Sequence, residues 1–423
     1  MTERNDQKVE APGAASQQAL PLAGIRVVDY TQFLAGPYAS RCLAGMGAEV
    51  IKVERPKEGD PSRTHTYLTP EGISGYYLLQ NMGKKGLCVN TKDPRGLELL
   101  RKLVATADVF IENYRPGALK KLGLGYEELS KINPRLIYCS ISAFGYTGPD
   151  SPRPGYGAIA EARSGAMAQL GVPGQPPPLL RMPIADIHTA TNAVAAICAA
   201  LLGRVRSQKG QHLDIALYDC MVAMHDYAIQ CYTLSGGREI PVQTGHDLPQ
   251  STVYGVFPAR DGNLVIAAQM DASWKRLAKL IGGDALAADA RFYGAEGRNA
   301  HNKEILALVR KWALEQPSVK ACIAALDAAD VACAPINRID EVLADPQTAA
   351  RGLVIEQEHP VLGRIKLSNI PFKFSDCDVT PRTIAPMIGQ HNREIAAELG
   401  YGAAEIKAML DEGVLYAEPS AKG

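Results

Sequence analysis

Between residues 24 and 143 the chain alternates short β-branched runs with helical stretches, and that alternation most narrows its fold. Gly24-Ile-Arg-Val-Val-Asp-Tyr-Thr31 reads as a buried parallel strand, an apolar run ending in polar residues. A helical stretch opens at Gly36-Pro37 and runs to about Met46, and Glu49-Val-Ile-Lys-Val-Glu54 follows as a strand. The two strands are too far apart for a hairpin, so the unit is βαβ. Residues 85–90, 108–113 and 135–143 read as further strands. Asp93-Pro94 opens a helix with proline in its first turn, Pro116 opens a short one, and residues 126–132 form another. The pattern predicts an α/β fold with a parallel sheet and right-handed crossovers.

Residues 145–157 read as a loop and 158–170 as a helix. A second loop passes through Pro176-Pro177-Pro178, and a strong Ala- and Leu-rich helix runs from 186 to about 206. Two loops framing one helix, with another starting just after, mark the rim of a site. Composition changes near Gly236-Gly237. Residues 251–269 carry strand patterns broken by Asp261-Gly262, a hairpin signal. Helices are predicted at 274–281, 303–314 and 319–328, β structure at 353–374, and one final helix at 392–410. The expected organisation is a leader at 1–19, a large α/β domain, a smaller α+β domain at 241–349 and a return segment.

Lys and Arg number 45, as do Asp and Glu, a balance that disfavours nucleic acid as a partner. Gly 39 and Pro 28 exceed ordinary usage and fit a loop-rich enzyme. The nine cysteines form no C-x-x-C pair, which argues against a disulfide framework or zinc site and suits a reducing compartment. The first 19 residues lack the pattern of a signal or transit peptide. The longest apolar run, 193–203, is eleven residues, too short to span a bilayer. A cytoplasmic protein with no membrane partner is expected.

No G-x-G-x-x-G follows the first strand, so a dinucleotide site is not indicated. P-loop, H-E-x-x-H and G-x-S-x-G motifs are absent, and the eight histidines are dispersed, leaving no metal constellation. Acid–base or carboxylate-nucleophile chemistry without a tightly bound cofactor remains.

Several motifs then occur in order: Leu34-Ala-Gly-Pro37, Gly47-Ala-Glu-Val-Ile-Lys-Val-Glu-Arg55, Glu112-Asn-Tyr-Arg-Pro-Gly117, Ile137-Tyr-Cys-Ser140 and Gly145-Tyr-Thr-Gly-Pro149. Ala185-Asp186, Lys209-Gly210-Gln211, Val331-Ala-Cys-Ala-Pro-Ile336 and Gly389-Gln-His391 follow. Together they resemble the class III CoA-transferases, the family of formyl-CoA, carnitine and bile-acid CoA-transferases, over nearly the whole chain after Ala19. The resemblance implies an interlocked homodimer, a doubly wound, Rossmann-like large domain at 20–207 completed by 390–418, a linker at 208–240 and a return linker at 350–389. It also implies an acyl-CoA and a carboxylic acid as substrates, and Asp186 as nucleophile. On spacing alone Asp186 also reads as the N-cap of its helix.

The same superfamily contains α-methylacyl-CoA racemases, in which a histidine works across from the aspartate. The matching run here is Gly155-Tyr156-Gly157. A phenol, with a reference pKa of about 10, is a poor base near neutrality, so a transferase is favoured over a racemase. Tyr156 then shapes the acyl pocket or simply packs on the core. The resemblance assigns CoA contacts to Leu34, Ala35, Arg55, Val89, Lys92, Asn113, Tyr114, Arg115 and Lys121. Leu34 replaces a glutamine and Lys121 an arginine of the formyl-CoA enzyme. Lys84 and Lys85 read equally as a solvated pair. Gly245-His-Asp-Leu-Pro-Gln-Ser251 resembles the subgroup acting on dicarboxylates with succinyl-CoA as donor, making His246 and Arg181 candidates for the acceptor's distal carboxylate. Transfer to oxalate or formate is the alternative within the family.

Overall fold

The computed structural model describes residues 20–248 and 250–418; the expected leader at 1–19 lies outside them. The chain divides into two units. The first comprises residues up to Glu161, Met182–Met224 and Ala350 onward; the second comprises Ala162–Arg181 and His225–Ala349.

The first unit is built on a parallel sheet. Its elements run β1 (Arg26–Tyr30), α1 (Ala35–Gly45), β2 (Glu49–Glu54), α2 (Gly75–Asn81), β3 (Lys85–Cys88), α3 (Pro94–Ala105), β4 (Val109–Glu112), α4 (Tyr126–Ile132), β5 (Ile137–Ser142), α5 (Gly157–Arg163), α6 (Ile184–Ser207) and β6 (Gln211–Ala216). The six strands lie in the order β3-β2-β1-β4-β5-β6, all parallel. The parallel sheet was expected from the alternation and its doubly wound order from the resemblance, with the switch point between β1 and β4. Alternation along β1 serves two faces. Val28 and Tyr30 join a core with Leu99, Leu103, Phe110 and Tyr138, while Asp29 accepts a hydrogen bond from Ser40 of α1 at 2.6 Å. Helix α3 starts where Asp93 accepts from the Arg95 N–H at 2.9 Å, with Pro94 at its first position.

The returning chain closes this core. Ile395, Ile406, Met409 and Leu415 join the same cluster. The Gly389-Gln-His391 motif is the fastener: His391 Nδ1 accepts from the Gly86 N–H at 2.9 Å, and Asn392 Oδ1 accepts from the Cys88 N–H at 2.8 Å. Two helices, Asn392–Glu398 and Ala403–Asp411, stand where one was predicted. Gly400, at φ 88°, breaks them.

Three further expectations need correction. Residues 208–240, read as a linker, contain β6, an edge strand of the main sheet. Residues 116–119 form turns rather than a helix, followed by a short 3-10 turn at Lys120–Leu122. The segment at 350–389 holds an antiparallel hairpin that belongs to the first unit. Helix α6 is, among the described residues, the one helix apolar and long enough to cross a membrane by composition. A core helix reads the same way, and Ala190, Ala193, Val194 and Ile197 are buried within the unit.

In the second unit, strands Tyr254–Pro258, Asn263–Ala267 and Ala332–Pro335 form an antiparallel sheet. Helices Asp271–Ala287, Asn302–Glu315 and Val319–Ala328 cover it, with Phe257, Trp274, Phe292 and Leu326 in the core. The last of the three strands was not predicted. No disulfide joins the nine cysteines.

Candidate active site

A cavity of about 380 Å³ opens at the carboxyl ends of the strands, beside the switch point. Open α/β sheets bind ligands there. Its walls come from Gln32 to Ala35 after β1, Asn113 to Pro116 after β4, Ile141 to Ala143 at the end of β5, and the Arg153–Tyr156 loop. Asp186 is the only carboxylate among the described lining residues, and no histidine is among them.

The loop after β1 is held from beneath by buried charge. Lys52 Nζ donates to the Thr31 carbonyl at 2.6 Å and to Asp60 Oδ2 at 2.7 Å. Asp60 Oδ1 in turn accepts from the Phe33 N–H at 3.2 Å. Phe33 has φ 62°, a strained value for a bulky residue that this surrounding network enforces. Gly36 must be glycine, because a Cβ there would lie 2.4 Å from the Thr31 side chain. Lys84 corrects the solvated-pair reading: it is fully buried and donates to Asp29 Oδ2 at 2.8 Å, the Asn81 side chain at 2.8 Å and the Pro37 carbonyl at 3.0 Å. Burial pushes its ammonium down to about 8 against the pull of Asp29. Burial would raise Asp29, but the charges of Lys52 and Lys84 hold it well below the usual carboxylate range.

Asp186 lies in the first turn of α6, and Pro183 occupies the N-cap position without a side-chain cap. The N-cap reading of Asp186 is therefore corrected. Its carboxyl is pushed up to about 6, first by burial and then by the neighbouring charge of Glu161, against a hydrogen bond from its own backbone N–H. Near neutral pH it is still mostly ionised.

The residues read from sequence separate into two groups. Leu34, Ala35, Asn113, Tyr114, Arg115, Tyr156 and Asp186 line the one cavity. Asn113 is committed to the fold as well: it accepts from the Gln32 N–H at 2.8 Å and donates to the Gln32 carbonyl at 2.7 Å. Tyr156 is 70% exposed, which removes the reading of it as a core aromatic. Val89 is a buried core side chain packed with Leu87 and Leu415 and lies outside the cavity lining. Arg55, paired with Glu58 at 2.8 Å, and the exposed Lys92 and Lys121 lie outside the cavity lining. Arg55 directly follows β2 and Lys92 lies just after β3, whereas Lys121 sits in the 3-10 turn at Lys120–Leu122. Arg181 and His246 are exposed residues of the second unit. Reading the sequence missed Arg153, which lines the cavity, and Glu161, whose carboxylate meets the start of α6.

The profile of CoA-transferase family III matches residues 22–392. The chain belongs to CoA-transferase family III. Family relatives include the succinate–glutarate CoA-transferase of Agrobacterium fabrum, 38% identical over 385 residues, covering 90% of this chain and 96% of the relative. The succinyl-CoA–D-citramalate CoA-transferase of Chloroflexus aurantiacus is 37% identical, covering 90% and 94%. The crystal structure of a CAIB/BAIF family protein from Brucella suis superposes with TM-score 0.80 at 37% identity, covering 90% of this chain and all of that one. The family III resemblance and the enzyme class read from the motifs agree with these comparisons.

Proposed function

We propose that the chain moves CoA from an acyl-CoA, with succinyl-CoA as the first donor, to a small dicarboxylic acid through an aspartyl-CoA thioester on Asp186. The observation that carries this reading is Asp186, the one carboxylate among the described residues that line the cavity at the switch point of the sheet. Relatives named for glutarate and D-citramalate support the dicarboxylate class.

In the first half-reaction an Asp186 oxygen attacks the thioester carbonyl carbon, the carbon–sulfur bond breaks, and a mixed anhydride and CoA thiolate result. The thiolate sulfur then attacks the aspartyl carbonyl. The donor acid leaves as its carboxylate, and the aspartyl-CoA thioester remains. The acceptor carboxylate runs the same steps in reverse and regenerates the Asp186 carboxylate. Arg115 and Arg153 line the cavity and supply cations for substrate carboxylate or phosphate. Arg55, Lys92 and Lys121, exposed cations outside the cavity lining, suit the CoA phosphates. α-Proton exchange, the racemase reading, needs a second base, and the described lining offers no histidine.

The active form in this reading is a homodimer. On α6, Leu202 and Val205 are 66% and 69% exposed, and a second copy of the chain covers that apolar face. Light scattering at about twice the 45.4 kDa chain mass is expected, and an active monomer contradicts it. The transfer itself is tested with a panel of acids against succinyl-, acetyl- and oxalyl-CoA, read by mass spectrometry. New dicarboxyl-CoA products from succinyl-CoA are expected. Racemised acyl-CoA without exchange would overturn the reading.

A further inference from the structure

Helix α5 addresses the first turn of α6 with two residues one turn apart, and so on one face. Gly157 leaves room for the Asp186 carboxylate: a Cβ there would lie 2.2 Å from Oδ2. Glu161, only 2% exposed, accepts a hydrogen bond from the Ala185 N–H at 3.1 Å. That N–H is one of the donors a helix start leaves unpaired, and Ala185 directly precedes Asp186. A buried carboxylate is thus tied to the backbone that carries the reacting one.

We propose that Glu161 is a positioning residue for CoA transfer, fixing the first turn of α6 so that the Asp186 carboxylate faces the cavity and keeping a second negative charge beside it. The inference rests on Asp186 as nucleophile. Other titratable groups around Asp186 are Tyr76 from α2, Tyr114 and Arg115 after β4, and Arg153 and Tyr156 before α5. Of the neighbouring charges, that of Glu161 adds to burial in holding the Asp186 proton. The consequence is mechanistic. Repulsion between the two carboxylates is present in the resting enzyme and is relieved when Asp186 becomes a neutral anhydride or thioester. Glu161 therefore favours the covalent stage as well as its geometry.

The test uses the full chain with Glu161→Gln and Glu161→Ala, following single-turnover CoA transfer from succinyl-CoA onto the enzyme across pH. Glu161→Gln keeps an acceptor for the Ala185 N–H and loses the charge. Its acidic limb is expected to move down by roughly half to one pH unit, with the KM for succinyl-CoA unchanged. Glu161→Ala loses the anchor too, and its kcat is expected to fall at least about tenfold, as for a displaced reacting group. If Glu161→Ala does not fold, Glu161→Gln carries the test alone. An acidic limb in Glu161→Gln superimposable on wild type overturns the inference. Asp186→Asn measured alongside separates the two claims: an inactive Asp186→Asn with an unmoved Glu161→Gln profile defeats the role of Glu161 only, whereas an active Asp186→Asn defeats the nucleophile itself.

Discussion

The Asp186 carboxylate stands against the backbone of Gly157, at a distance that leaves no space for a β-carbon. Gly157→Ala therefore displaces a short side chain rather than the core. Melting is expected to stay within a few degrees of wild type, while kcat falls by about tenfold to a hundredfold. Full turnover in this variant would show that the carboxylate position is not critical.

Asp186 carries a stability cost that depends on pH. Its carboxyl titrates near 6 in the folded chain, above its ordinary value of 3.8. The folded state thus holds the proton more tightly than the unfolded state. This contribution is fully present below about pH 4 and is lost as pH rises through 6, for up to about 2–3 kcal/mol. Asp186→Asn is expected to melt higher than wild type at pH 7.5, with the gap closing near pH 4. Calorimetry across that range checks it, and a lower melting point at pH 7.5 counts against the buried-charge account.

Lys84 links Asp29, Asn81 and the Pro37 carbonyl beneath the β1–α1 loop. Lys84→Met leaves Asp29 with one lysine partner, Lys52, 4.0 Å away. Breaking such a buried pair costs about 3–5 kcal/mol. Urea unfolding is expected to show a loss of that order; a loss below about 1 kcal/mol would mean that the network relaxes.

Arg115 lines the cavity, and Lys121 does not. Arg115→Ala removes charge-assisted hydrogen bonding and is expected to raise the KM of a substrate about tenfold or more. Steady-state kinetics with each substrate varied in turn identifies which one. Unchanged KM values for both would exclude Arg115 from binding.

Much of the sheet was legible because β1, β2, β4 and β5 are buried along almost their whole length and rich in Val, Ile and aromatic residues, even with Asp29 and Lys52 among them. Edge strand β6 was missed for the complementary reason. Gln211-His-Leu-Asp-Ile-Ala216 is half exposed and mixes polar residues into its run. The nucleophile candidate and cavity residues such as Leu34 and Arg115 came from family motifs rather than from periodicity. Lys84 and Glu161 were illegible because their partners are distant in sequence: Asp29 is 55 positions from Lys84, and Ala185 is 24 from Glu161. Only the fold shows that these charges are buried and paired.

The covalent step can be read from one peptide. Cleavage after Arg181 and Arg204 releases Met182 to Arg204, whose only carboxylate side chain is Asp186. Wild-type enzyme incubated with succinyl-CoA and hydroxylamine, then digested and analysed by mass spectrometry, is predicted to carry a hydroxamate on that peptide, and Asp186→Asn to carry none. Modification of a different peptide, or continued CoA transfer by Asp186→Asn, would contradict the aspartyl-CoA route.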